Sequence, residues 1–346
     1  MNHMVKPYVD ALLTEISLNS EELRNKKIDS IYIGGGTPSF LSSKYIHTIL
    51  KSFNFDKDTE ITIEVNPDTA DYKKFIEYKQ MGINRISFGV QSFDDEILKL
   101  MGRSHTSQES IKKILECQSA GFDNISADLI FGYPKQSLSQ YKETLEIIKK
   151  IEVQHISAYS LSVEDGTLLS NMIKKGLLPT PNDKDDRLMY HYTIESLAKT
   201  GFSQYEISNF SQARYESRHN LGYWERDNYL GFGISAHSLM DNIRFENTDN
   251  IYEYVVSLKQ LVKPRINIQE LTKEEIITEH IILALRLTKG LNIHDFEKEF
   301  GENFEEKYEK ALETLVDRYL LEKRGDNYSL TRQGLDLANQ VFVEFV

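Results

Sequence analysis

Residues 28–41, IDSIYIGGGTPSFL, run an apolar, β-branched segment straight into three consecutive glycines and a Thr-Pro pair. The apolar part reads as a strand, and three glycines at its end offer bare backbone against which another molecule can press. Working outward, similar β-rich runs recur about every thirty residues, the size of one strand-helix unit. They are SIYIG, EITIEV, RISFGV, ISADLIFG and HISAYSL. Between them, residues 42–53, 69–81, 107–120, 137–151 and 182–200 combine cap residues with helical apolar periodicity. Near-continuous apolar strands alternating with such helices predict a parallel sheet covered by helices, doubly wound or closing towards a barrel. Polar and glycine-bearing residues follow the strands: Gly34 to Thr37, Glu64 with Asn66, Gln91 with Ser92, and Gly132 with Pro134. In a (β/α) barrel that is the end that carries the active site.

A helix over 7–18 precedes the first visible strand, so the chain begins in the middle of a strand-helix unit. After Gly201 the rhythm changes. GFSQYEISNF is one more strand-like run, and the stretch from Ser211 to Met240 is aromatic, glycine-bearing and irregular. Beyond a linker near Lys263 and Pro264, helices over 273–287, 293–300 and 304–320 lead into LLEKRGDNYSLTRQG, a strand, turn and strand, with a last helix after Thr331. This divides the chain into a barrel core, 1–205, an edge extension and linker, 206–265, and a helical, winged-helix-like domain, 266–346.

Composition narrows the function. The 346 residues are 40% hydrophobic and 27% charged, with a net charge of -12. No stretch has a membrane span's length or a secretory leader's form, which predicts a cytoplasmic protein without stable membrane insertion. Winged-helix domains commonly bind DNA, but residues 266–346 hold 10 Lys/Arg against 17 Asp/Glu. Phosphate neutralisation lacks its cations there, so no nucleic-acid partner is expected. The single cysteine, Cys117, excludes a disulfide framework and any site built from several thiolates of this chain. On its helix it reads as a small buried hydrophobe.

YIGGGTPSFL, EVNPDT, GINRISFGVQSFDDEILKLMGR, DLIFGYPKQ, YEISNF and HNLGYW occur in this order. Together they resemble the radical S-adenosylmethionine (SAM) proteins of the oxygen-independent coproporphyrinogen III oxidase family, over the whole chain and most closely in its heme-chaperone branch. The resemblance implies a partial (β/α)6 barrel, here lacking its first strand, with SAM lying across the strand ends. It also implies a [4Fe-4S] cluster that chelates SAM and breaks its sulfonium bond. Matched residue by residue, Gly35, Gly36 and Thr37 face the methionine moiety, and Glu64 pairs with a cationic or hydroxyl-bearing part of the ligand. Gln91, Arg103 and Asp128 complete the cradle, and Ser160 is a lesser contact. Taken alone, Glu64 reads as a solvated residue or a cap and Arg103 as a surface charge. Asp128 differs, because a carboxylate within an apolar strand is costly unless paired.

His219, Asn220, Tyr223 and Trp224 form the H-N-x-x-Y-W pattern of the chaperone branch, where a histidine among aromatics suits heme. The plain alternative is an ordered loop anchored by Trp224, the one tryptophan. His237 follows another strand-like run and reads as a simply hydrogen-bonded histidine, with a place over the same cavity as the alternative. The family holds its cluster with a C-x3-C-x2-C loop after the first barrel strand, and neither loop nor strand occurs here. An incomplete chain explains this better than an evolved loss, since a lost strand bares its neighbour's edge. The expectation is a chain that holds no cluster, binds SAM weakly if at all and performs no radical chemistry, with SAM and the cluster belonging to a longer form. The resemblance implies a heme chaperone that binds heme or a porphyrin and passes it to an acceptor protein. The competing expectation is coproporphyrinogen III dehydrogenation, an oxidative decarboxylation.

Overall fold

The structure, a computed structural model, describes residues 2–24 and 26–346. It divides into two compact units. One is built from 30–41 and 60–217, the other from the two segments before and between these and from 218–346.

The first unit holds a seven-stranded sheet. Strands β1 (Ser30–Ile33), β2 (Glu60–Val65), β3 (Arg85–Gln91), β4 (Ile125–Phe131) and β5 (His155–Ser160) lie side by side in sequence order and run parallel. Helices Tyr72–Gln80, Ser107–Ser119 and Leu138–Lys150 make successive crossovers, and Asp183–Ala198 follows β5. Their starts are chemically marked. Thr106 and Glu109, and Ser137 and Gln140, form reciprocal capping boxes that satisfy otherwise orphaned N–H groups. The strand-like run GFSQYEISNF folds as two strands, β6 (Ser203–Gln204) and β7 (Asn209–Ser211), paired antiparallel, with β7 antiparallel to β5. The buried Glu206 makes the turn by accepting from the Ser208 N–H at 3.1 Å and from the Asn209 amide.

The strands are apolar on one face only, where the sequence suggested near-continuous apolar runs. Ile61, Ile63, Ile86, Phe88, Ile125, Ala127, Ile156 and Phe210 are buried on the outer face. That face packs on the helices through Phe88 against Phe75 and Phe131 against Tyr141 and Tyr190. The other face is polar along the same register: Thr62 opposite Arg85, Glu64 opposite Ser87, Ser126 opposite His155, and Asp128 opposite Ser157. Side chains alternate across a strand, which keeps the two compositions apart except near the strand ends, where Ile130 joins the polar face and Ser160 the apolar one.

In the second unit, helix Val5–Leu18 packs on helix Ile251–Lys259 through Ala11, Tyr254, Val255 and Leu258. The buried Glu15 ties them together. It accepts from the Gly233 N–H at 2.9 Å, Asn247 Nδ2 at 2.5 Å and the Tyr254 hydroxyl at 2.5 Å. The segment read as irregular contains helix Arg218–Trp224 and strand β8 (His237–Met240), which opens a three-stranded antiparallel sheet completed by β9 (Ile243–Asn247) and β10 (Arg265–Glu270). His237 lies exposed on β8, its Nε2 3.1 Å from a Glu246 carboxylate oxygen. Helices Lys273–Arg286, Ile293–Phe300 and Glu309–Asp317 follow, with β11 (Leu291–Asn292) joining the hairpin of β12 (Leu321–Arg324) and β13 (Asn327–Leu330), and the buried Phe304 ring meets Phe296, Tyr308, Tyr328 and Phe345. The helix expected over 304–320 breaks at Tyr308. Among the described residues no helix is long and apolar enough to cross a membrane.

Candidate ligand cradle and the aromatic helix

At the C-terminal ends of β1 to β5 the sheet's polar face opens into a cradle. Glu64, on β2, accepts from the Tyr32 hydroxyl at 2.9 Å and from the Gly35 N–H at 3.1 Å. Gly34 permits this, because a Cβ there would stand 2.7 Å from the Tyr32 ring and 3.0 Å from Glu64 Oε1. Gly35 and Gly36 take φ of +81° and +60°, and a Cβ on either meets nothing within 4 Å. The backbone is therefore bent into a left-handed path facing open space. Thr37 Oγ1 accepts from Asn66 Nδ2 at 3.2 Å. Asn66 and Gln91 flank Gly89, where a Cβ would lie 3.0 Å from Asn66 Oδ1 and 3.2 Å from Gln91 Nε2. Gln91 has φ +66° at a bulge between β3 and β4. A non-glycine residue there carries strain, and bulges beside sites re-aim side chains.

The charges are placed unevenly. Asp128, on β4, accepts from Ser87 Oγ at 3.0 and 3.2 Å, and burial holds its acid form above the usual carboxylate range, against hydroxyl donation from Ser157 and Ser87. Tyr32 is pushed up by burial and by the negative charges of Asp128 and Glu64. Tyr159, on β5, is pushed up to about 12, mainly by burial and by Asp128. Arg103 is half-buried, and its guanidinium makes no hydrogen bond among the described residues. Burial lowers it and Asp68 partly restores it. Ser160 donates to Asp186 Oδ1 at 2.5 Å, and Gly132, φ +75°, leaves room for that carboxylate, since a Cβ would stand 2.5 Å from it. Gly35, Gly36, Thr37, Glu64, Gln91, Arg103, Asp128 and Ser160 all lie in the first unit; all but Arg103 stand on or just after the sheet strands, and Arg103 follows helix Asp95–Leu100.

His219, Asn220, Tyr223 and Trp224 lie in the second unit on helix Arg218–Trp224, a helix where a loop was the plain expectation. His219 meets Tyr223 edge to face at 4.8 Å between ring centroids, and Tyr223 meets Tyr229 the same way at 4.7 Å. The Arg286 guanidinium lies 4.5 Å over the Trp224 ring, and the buried Trp224 Nε1 has no hydrogen-bond partner among the described residues. Trp224 therefore anchors this helix to Lys273–Arg286, leaving Tyr223 partly exposed.

Comparison with known proteins now has a geometry to meet. Residues 4–148 match the model of the radical SAM superfamily, and residues 271–337 match the HemN C-terminal domain. The chain is 33% identical to the heme chaperone HemW of Lactococcus lactis, over 99% of this chain and 90% of that protein. It is also 33% identical to HemW of Bacillus subtilis, over 99% and 92%. The chain belongs to the HemW family of radical SAM proteins. In fold it is similar to coproporphyrinogen III oxidase (HemN) of Escherichia coli, described as a radical SAM enzyme, with a TM-score of 0.88 at 22% identity over 100% of this chain and 84% of that one.

Membership implies SAM and a [4Fe-4S] cluster, and the two fare differently against the residues present. SAM carries a sulfonium, an ammonium and a carboxylate. Two carboxylates, the half-buried Arg103 guanidinium, which makes no hydrogen bond among the described residues, and an open glycine turn match that set in charge. The cluster needs several thiolates, and the chain's one cysteine, Cys117, is buried on helix Ser107–Ser119 with burial pushing its thiol up. The residues present do not fit a cluster.

The sequence reading passed over Tyr32, Ser87, Ser126, Ser157 and His155, which line the cradle or lie beneath it. Their signal was the alternation inside runs such as RISFG and HISAYS, where each second residue is polar.

Proposed function

We propose that the protein is a heme chaperone, taking up heme and passing it to an acceptor protein in the cytoplasm, on a scaffold whose strand ends receive SAM. The observation that carries this is the likeness to HemW proteins along 99% of the chain, spanning both the cradle and the H-N-x-x-Y-W helix. In this reading Glu64 and Asp128 face the ligand's cationic and hydroxyl groups, and Arg103 faces its carboxylate. The turn Gly35-Gly36-Thr37 holds the amino-acid end, with Gln91 and Ser160 at the margin. Bound SAM supplies a sulfonium-linked adenosyl group. The chain's own part is to bind and orient it.

For heme, His219 offers an imidazole to iron and Tyr223 a ring edge to a porphyrin, while Asn220 and Trp224 hold the helix that presents them. The arrangement supporting this is the His219–Tyr223–Tyr229 row of perpendicular rings. Titration of the full chain with hemin, followed by the Soret band, tests the reading, beside an assay for coproporphyrinogen conversion. Stoichiometric heme binding that weakens in His219→Ala, without turnover, is the expected result. Porphyrinogen turnover, or no saturable heme binding, overturns it.

A further inference from the structure

Beneath Asp128 runs a row of hydrogen bonds that ligand binding does not itself use. The Ser217 N–H donates to Tyr205 Oη at 3.3 Å, and that oxygen lies 2.8 Å from His155 Nε2. His155 Nδ1 lies 2.8 Å from Ser126 Oγ, and Ser126 Oγ donates to Asp128 Oδ1 at 3.4 Å. His155 and Ser126 are both 0% exposed. The one Ser126 proton serves either His155 Nδ1, over 2.8 Å, or Asp128, over 3.4 Å. In the arrangement that serves an ionised Asp128, which only accepts, Ser126 accepts from His155. The ring proton then sits on Nδ1, and Nε2 accepts from the Tyr205 hydroxyl. A neutral ring is required, and burial, helped by the Arg85 charge, holds His155 well below the usual histidine range.

We propose that His155 is the positioning residue of the ligand-binding carboxylate: a neutral, Nδ1-protonated imidazole that points the Ser126 hydroxyl at Asp128 and so selects the oxygen left to face the strand ends. This rests on Asp128 as a SAM contact. Ser87 and Ser157 also donate to Asp128, and each of them can donate equally well with either His155 tautomer. Only the Ser126 contact depends on where the imidazole carries its proton. A histidine that merely fills space is content with either form.

Two measurements decide the matter on the full chain. Long-range 1H–15N correlation of 15N-histidine-labelled protein, with the His155 signals identified by their loss in His155→Asn, reads the tautomer without any ligand. The Nδ1–H form is expected, and its preference is lost in Ser126→Ala. An Nε2–H or charged ring, or a tautomer indifferent to Ser126→Ala, overturns the proposal.

Calorimetric titration with SAM reads the consequence. An asparagine amide stands where Nδ1 does and keeps the donor to Ser126, whereas a glutamine amide reaches the Nε2 position and leaves Ser126 unsupported. His155→Asn is expected within about twofold of wild type, and His155→Gln weaker by about five- to tenfold, the worth of one hydrogen bond. Asp128→Asn is expected to weaken binding at least as much. If Asp128→Asn or the wild type shows that Asp128 is no ligand contact, the cradle reading fails and the tautomer alone judges the relay. If Asp128→Asn weakens binding while the two His155 variants behave alike, positioning by His155 is refuted.

Discussion

Gly35→Ala separates the cost of folding from the cost of binding. Gly35 holds φ +81°, where an L side chain costs about 1–2 kcal/mol. No steric charge is added, because a Cβ there meets no heavy atom within 4 Å, and the N–H donated to Glu64 is kept. The unfolding free energy should therefore fall by about 1–2 kcal/mol, measured by urea denaturation. SAM affinity should fall more than tenfold, about 1.4 kcal/mol or more, since the new methyl fills the space the ligand's backbone contact needs. Gly121→Ala is the matched control. Gly121 also has positive φ, +91°, and an equally open Cβ position, but it precedes β4 at the opposite end of the strands. Wild-type affinity in Gly35→Ala, or an equal loss in both variants, would refute the assignment of the glycine turn to ligand binding.

Four further outcomes follow from the same geometry. Arg103→Met should change stability by no more than about 0.5 kcal/mol, because no hydrogen bond is lost, yet weaken SAM binding at least tenfold in the same titration. Gly132→Ala should cost about 2–4 kcal/mol in urea denaturation, because it adds a Cβ 2.5 Å from Asp186 Oδ1 to a residue at φ +75°. Tyr254→Phe should cost about 1.5–3 kcal/mol by removing a hydroxyl donor from the buried Glu15. Burial raises the Glu15 acid above 4.5, so between that pH and its folded value the native state keeps a proton the unfolded chain has released. Its contribution to stability falls as pH rises through that window, and Glu15→Gln should flatten that part of the stability-pH curve.

The parallel order of β1 to β5 was legible because each strand carried β-branched residues and each crossover helix carried a cap, such as Thr106 with Glu109. The glycine turn was legible because Gly34, Gly35 and Gly36 directly follow the apolar run of β1. The underside of the cradle was not. Ser126 and His155 look like interruptions of apolar runs until the register sets them opposite one another on a single face. GFSQYEISNF read as one strand because nothing local announces that Glu206 will turn the chain by accepting from residues two and three places on. The sheet of β8 to β10 was hidden for a related reason. Its third strand pairs across an intervening helix, and aromatic residues mask the short first strand.

The clasp at Glu15 has a consequence for the order of events during synthesis. Tyr254 lies 239 residues beyond its carboxylate partner. At ribosomal rates of about 5–20 residues per second, the interval between them is on the order of 10–50 s. Throughout it the helix Val5–Leu18 has emerged with Val9, Ala11, Leu12 and Ile16 lacking the Tyr254 surface that later covers part of it. The continuous stretch from Glu60 to Ser217, by contrast, contains every strand of the seven-stranded sheet except β1, and each parallel pair within it closes over one crossover. The nascent chain can assemble strands β2 to β7 of that sheet while its first helix still waits for a partner. Over that interval the protein itself presents an apolar surface of the sort that general folding chaperones hold.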